Sequence, residues 1–298
     1  MSIILWGQYP RSEQLVQATR DWDRKRIDSE ALQKIQANDR KELMKLQEGF
    51  HYLSTGQFHW EDLIRPLTHL SSTFSSGALT RFFETNTFWR TIEGDGEIDL
   101  KRTSDWIEDY FPQIIPDKTL YSFPFWFLFQ HFSSGLLLDA FIPLFERLPK
   151  GLLVFIEPCI GWQPISKSDK QQARNFLERL KKQVESPIVL ATISQNIGKE
   201  LDDLYSLPVD GIAIDFYRNA IEDVLPTFPK DKLLIAGIID TDSALLEEKE
   251  ILLQFKQQAE TYIPKENLYF SYNAQAELLP RKVMDAKVRN LRESLQSQ

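Results

Sequence analysis

LLVFIE (Leu152–Glu157), PIVLAT (Pro187–Thr192), GIAID (Gly211–Asp215), LLIAGII (Leu233–Ile239) and LYFSY (Leu268–Tyr272) follow one another at regular spacing. Each is a short run rich in β-branched residues that ends at a polar stop. Helical patterns of about ten to twenty residues separate most of them, as parallel strands joined by crossover helices require. The runs are continuously apolar rather than alternating, which is how strands buried on both faces read. Working outward, Ile3–Trp6 reads as a first strand stopped by Gly7. HYLST (His51–Thr55) reads as the second and TLYSF (Thr119–Phe123) as the third. Between the first two, Arg11 to Gly49 reads as helix, broken near Ile27 with Asp28 or Ser29 able to cap a second segment. The count of eight favours an α/β fold of the closed (β/α)8 TIM-barrel type, one domain over residues 1–298.

The barrel pattern carries a long insertion between strands two and three, at about residues 72–118. It is either a lid over the barrel mouth or a hairpin that covers the core. Phe82, Phe83, Phe88 and Trp89 are the side chains able to pack it down, and Gly94-Asp95-Gly96 reads as a tight turn.

The formal charge of −8, without a basic tract, argues against a nucleic-acid partner. The longest apolar stretch, around Phe125, is interrupted by Pro124 and falls short of the ~20 residues a membrane helix needs. Neither a membrane nor a secretory leader is expected, and the cytoplasm is the expected compartment. A single cysteine, Cys159, excludes an internal disulfide and reads as a buried, inert thiol.

Parallel β/α arrays place their chemistry at the carboxyl ends of the strands. Read in that order, the ends supply Gln8 and Arg11, then Gln57, His59 and Trp60, then Glu157, Thr192 and Ser194, Asp215, Asp240 and Asp242, and Asn273 with Gln275. Each has an ordinary explanation too: Glu157 and Asp215 as acceptors for loop amides, Asp242 as the cap of a helix starting at Ser243. No G-x-G-x-x-G motif follows any strand, and no pair of histidines has metal-ligand spacing.

Four segments, in order, resemble one family. GQYPR (Gly7–Arg11) stands where the cobalamin-independent methionine synthases have G-[SF]-[FY]-P-R. STGQFHWEDL (Ser54–Leu63) is similar to their P-x-G-[DE]-F-x-x-Y-D, and RFFETNT (Arg81–Thr87) to K-W-F-x-T-N-Y. LPVDGIAIDF (Leu207–Phe216), followed by DKLLIAGIID (Asp231–Asp240), resembles LPV-x-G-x-x-x-D and W-L-L-S-A-G-L-I-x-G. The likeness is to the first of that enzyme's two barrel halves, the one without zinc. It implies methyl transfer from a methyl-folate to homocysteine by the whole enzyme.

The zinc ligands of the family's catalytic half are a His-x-Cys, a Glu and a Cys. Their places here read Ala191-Thr192-Ile193-Ser194, Asp215 and about Ala274. Gln8 and Gln57 replace the serine and glutamate that hold homocysteine, and the aspartate of I-D-E-P is Ile156, leaving Glu157-Pro158. Zinc ionises the acceptor thiol in that chemistry. The resemblance therefore implies a chain with no cofactor of its own, inactive alone, that partners a separate zinc-bearing half. It also implies a possible folate ligand, with Arg11, Thr85 and Asn86 as contacts for an anionic polyglutamate tail. The candidate ligand-binding set is Gln8, Arg11, Gln57, Thr85, Asn86, Glu157, Asp215, Asp240 and Asn273, with no metal ligands. Two alternatives use the same barrel: a glycosidase-like pair of Glu157 and Asp240, with Trp60 and Trp162 stacking on sugar, or a barrel that binds a small ligand without reaction.

Overall fold

The computed structural model describes residues 2–296 except 61, 84, 86, 163 and 194. Its strands are β1 (Leu53–Ser54), β2 (Ser75–Arg81), β3 (Phe88–Glu93), β4 (Thr119–Pro124), β5 (Ser133–Ser134), β6 (Leu152–Glu157), β7 (Ile188–Thr192), β8 (Gly211–Asp215), β9 (Leu233–Ile239) and β10 (Leu268–Tyr272). The helices are α1 (Glu13–Asp23), α2 (Ser29–Leu46), α3 (Leu100–Tyr110), α4 (Trp126–Phe132), α5 (Ile142–Arg147), α6 (Lys167–Gln183), α7 (Leu201–Tyr205), α8 (Ile221–Val224), α9 (Lys249–Tyr262) and α10 (Arg281–Gln296).

Seven strands form one parallel sheet in the order β1-β4-β6-β7-β8-β9-β10. Every residue of β4, β6, β7 and β8 is buried, which is why those stretches are apolar without alternation. Helices cover the outer face, and Phe125, Phe145, Phe155 and Phe176 interlock between sheet and helices with ring centroids 5.3–6.4 Å apart. Among the described residues no helix is long and apolar enough to cross a membrane.

The expected first strand is present only as a bridge. Ile3 pairs with Phe270 of β10, and the hydrogen bonds Ile4 N–H to Phe270 O (3.0 Å) and Phe270 N–H to Ser2 O (2.8 Å) hold it there. At Gly7 the chain turns with φ +70°, a conformation that favours glycine. It then meets the other edge of the sheet by single contacts, Tyr9 N–H to Gly56 O at 3.0 Å and Gly7 N–H to Ser122 Oγ at 2.8 Å. The sheet therefore curls until its two edges approach, with seven hydrogen-bonded strands and an eighth segment in place of the eight expected.

Asp28 caps α2 as anticipated, accepting from Ala31 N–H at 2.8 Å. The insertion is an antiparallel hairpin, β2 with β3, followed by α3, and β3 adds β5 in parallel to make a second sheet. Phe82 and Trp89 are buried under it, while Phe83 stacks on Trp162 at 5.5 Å and on His131 at 4.8 Å. Phe88 stays exposed. The helix anticipated from Ser243 is absent. Residues 240–248 form a loop, Asp242 accepts from Arg218 at 2.5 Å, and the next helix starts at Lys249.

Candidate functional site at the strand carboxyl ends

Gln8, Gln57, Asp215, Asp240 and Asn273 at the strand ends spend polar atoms on one another and on neighbouring groups of the protein. Gln8 donates its amide to Trp60 O (3.0 Å), and Gln57 donates to Ser122 O (3.1 Å) from a left-handed backbone with φ +47°. Asp215 is buried. Its Oδ1 accepts from Tyr217 N–H (2.9 Å) and Asn273 Nδ2 (3.2 Å), and its Oδ2 from the Arg218 guanidinium (2.9 Å). Burial pushes its carboxyl upward against the pull of those bonds. Asn273 Oδ1 accepts in turn from the Thr241 N–H and hydroxyl at 3.0 and 3.1 Å. Asp240 accepts from Asp242 N–H at 3.0 Å, and its own N–H donates to Glu247 Oε1 at 3.0 Å.

Glu157 faces away from solvent altogether. One carboxylate oxygen accepts from Phe127 N–H (2.9 Å) and Leu128 N–H (3.2 Å), the other from Cys159 N–H (2.9 Å). α4 has no capping side chain of its own, so a carboxylate from the neighbouring strand satisfies the amides of its first turn. The proposed Glu157–Asp240 hydrolytic pair is thereby corrected, because an acid with both oxygens committed to buried amides cannot reach a glycosidic oxygen. Trp60 is corrected as a sugar platform for a similar reason. It is buried edge-on among Trp106, Phe111 and Phe123.

Burial raises the Glu157 carboxyl to about 7, outweighing the three amides that lower it. The folded state then keeps a proton that the unfolded chain loses near the ordinary glutamate value of ~4.3. Because the folded state binds more protons across that window, stability falls as pH rises from about 4.5 and levels off above about 7. Glu277 is displaced in the same sense by burial. Thermal unfolding followed from pH 5 to pH 8 should show the fall, on the order of 3 kcal/mol for Glu157. Glu157→Gln should flatten it relative to wild type, and an unchanged slope in that variant would contradict the assignment.

The cavity left at the mouth is small. Trp6, Gly7, Gln8, Ile156 and Gln275 to Glu277 enclose about 10 Å³, room for about one water molecule. Ligand sites ordinarily occupy ~300–1,000 Å³. Larger concavities lie elsewhere: about 350 Å³ between α6 and α7 on the helical layer, and about 540 Å³ beside the α1–α2 turn at Trp22 and Ile27. Arg11 is exposed beside the mouth, close enough to Glu277 for their charges to interact. Thr85 sits at the hairpin tip and donates its hydroxyl to Phe82 O at 2.6 Å. No hydrogen bond or ion pair joins Arg11 to Thr85 among the described residues. Asn86 and Ser194 lie outside those residues.

The zinc of the family's catalytic half, which the resemblance assigns to a partner, does not fit the side chains present. Thr192 donates its hydroxyl to Ala213 O (2.9 Å), Asp215 is held as described, and Ala274 offers a buried methyl. Among the described residues, no group of three or more His, Cys, Asp and Glu is placed to hold a metal ion. Cys159 is buried, and its thiol is pushed far up by burial and by Glu157.

One feature had no signal in sequence: Glu247, from the loop after β9, meets Lys287 of α10 at 2.6 Å with both side chains buried. Lys287 also donates to Leu245 O. The pair fixes the loop that carries Asp240, although a lysine in an amphipathic helix normally reads as solvent-facing.

Residues 133–259 match the model of the cobalamin-independent synthase N-terminal domain. The chain is 26% identical over 186 residues to the 5-methyltetrahydropteroyltriglutamate–homocysteine methyltransferase of Bacillus velezensis, covering 55% of this chain and 24% of that protein. It is 26% identical over 224 residues to the protein of the same name from Bacillus subtilis, covering 64% and 29%. The chain thus spans roughly a quarter of the length of these relatives. In fold it resembles a B12-independent methionine synthase from Shewanella sp. W3-18-1 (TM-score 0.70, 12% identity, 90% of this chain and 89% of that one). A putative vitamin-B12-independent methionine synthase from Listeria monocytogenes is equally similar (TM-score 0.70, 12% identity, 99% and 96%). Over these stretches the sequence is similar to the cobalamin-independent methionine synthases, with the match to their N-terminal domain model, and the fold is shared with solved B12-independent methionine synthases.

Proposed function

We propose that this chain is a non-catalytic counterpart of the N-terminal half of a cobalamin-independent methionine synthase, working in the cytoplasm as the partner of a separate zinc-bearing half. The observation that carries this reading is the small mouth, a cavity of about 10 Å³, together with the strand-end side chains Gln8, Gln57, Asp215 and Asn273, whose polar atoms are bonded within the protein. The barrel is proposed to close fully as a (β/α)8 unit, with Ile3–Trp6 as its eighth stave. Its contribution to methyl transfer is to buttress the partner and to help hold the anionic tail of a methyl-folate polyglutamate. Arg11 is available for that tail, being exposed and making no hydrogen bond among the described residues; Thr85 would join it from the hairpin tip, with Asn86, outside the described residues, as the further candidate.

The test mixes the purified chain with a zinc-bearing synthase half. A complex on size-exclusion chromatography, with faster methionine formation than the zinc-bearing half alone, is expected. The chain alone should hold far less than one equivalent of zinc and make no methionine. Stoichiometric, tightly held zinc, or turnover by this chain alone, would overturn the reading.

A further inference from the structure

Two largely enclosed arginines lie where α2 meets the loop after β1, and among the described residues one of them is met by carboxylates. Arg281 of α10 is met by Asp285 at 2.8 Å and Asp39 at 3.8 Å, donates to Pro10 O, and lies over the Tyr9 and Phe58 rings. Arg40, the next residue after Asp39, is 7% exposed and makes no ion pair or hydrogen bond among the described residues. Its Nε is wholly buried without an acceptor. Asp39 does not serve it, because that carboxylate accepts from Ser12 N–H at 2.8 Å and faces Arg281. A buried cation without a counter-charge is unfavourable, and a fold that keeps one has a use for its field.

The groups around Arg40 are donors. His59, from the loop after β1, has a buried Nε2 with no partner. Burial and the Arg40 charge hold its imidazole down at about 4, so the ring is neutral and can carry its proton on Nε2. Gln36, one turn before Arg40 on the same face of α2, is also 7% exposed and forms no hydrogen bond among the described residues. Arg11 adds a further positive charge next to Ser12, whose backbone abuts Asp39.

We propose that Arg40, His59 and Gln36 form a receptor for a small oxyanion, a carboxylate or a phosphate, that supplies the missing counter-charge of this corner. The guanidinium fork suits two parallel hydrogen bonds to such a group, and the imidazole and carboxamide can satisfy its remaining lone pairs. The inference stands apart from assembly with a zinc-bearing half, which can succeed or fail independently of it.

The test titrates inorganic phosphate and, separately, glutarate into the full chain, with sodium chloride matched for ionic strength. Unfolding temperature and the His59 ring resonances are followed by NMR. At least one oxyanion should raise the unfolding temperature by several degrees at millimolar concentration and shift the His59 signals saturably, while chloride does neither. A response to phosphate alone assigns a phosphoryl ligand, and one to glutarate alone a carboxylate ligand. Arg40→Met should abolish both responses and, with no anion present, melt above the wild type because it removes an uncompensated charge. Should that variant fail to fold, Arg40→Lys keeps the charge without the fork and should weaken binding about tenfold. The proposal is overturned if neither oxyanion moves His59 or if an arginine variant responds like wild type.

Discussion

Glu157→Ala is expected to destabilise the protein by about 3 kcal/mol or more, with α4 as the first element to loosen. Three amides, the buried ones of Leu128 and Cys159 and the partly buried one of Phe127, would lose their acceptor together. Each unsatisfied buried donor costs ~1–3 kcal/mol. Part of that loss is offset because the carboxylate itself is costly to bury, as its raised pKa shows. Glu157→Gln keeps one acceptor oxygen and should cost ~1–2 kcal/mol. Denaturant unfolding of both variants gives the comparison, and hydrogen exchange at residues 126–129 locates the damage. A Glu157→Ala variant as stable as wild type would mean that the carboxylate does not cap α4. The prediction also separates a structural carboxylate from a reacting one, since an active-site acid is commonly held at some cost to the fold and its removal often stabilises.

Lys287→Met should be comparably damaging, by ~3–5 kcal/mol, because it strands Glu247 as an unpaired buried carboxylate. Glu247 also accepts from Asp240 N–H, so the loop over the end of β9 should loosen with it. Pairing the substitution with Glu247→Leu removes both charges and should recover most of the loss, because an apolar replacement of a buried ion pair is often neutral. The measurement is a double-mutant cycle by chemical denaturation. An additive double mutant, with no recovery, would show that the two side chains do not act as a pair.

Much of the fold is legible without coordinates. The five strands from β6 to β10 read out almost residue for residue, because a strand buried on both faces has to be apolar throughout and the polar residue that stops it is visible. The Asp28 cap was equally readable, since it depends on an amide three residues away. The failures all involve distant partners. Ile3–Trp6 looks like any other strand, but a strand needs a ladder, and here only one bridge to Phe270 forms before Gly7 turns the chain. Asp242 sits where a helix cap would sit, but Arg218 claims it and the loop is pinned by Glu247 and Lys287 instead.

The candidate site divides the same way. The roster of residues at the strand ends follows from strand order, and the absence of histidine and cysteine at the family's zinc positions is plain in the sequence. What those residues do is decided by neighbours far along the chain. Glu157 looks like a strand-end acid until amides thirty residues earlier are brought to it. Trp60 looks like a platform until Trp106, Phe111 and Phe123 close around it.

The sequence by itself determined the class of fold, the family likeness and the chemical inventory of the strand ends, because apolar periodicity, local caps and side-chain identity are properties of neighbouring residues. Only the tertiary structure decided that the mouth is small, that Glu157 serves a helix and that Arg40 meets no counter-charge among the described residues. Burial and pairing are set by which distant side chains meet, and desolvation makes an unmatched charge or amide costly only once that meeting has excluded water.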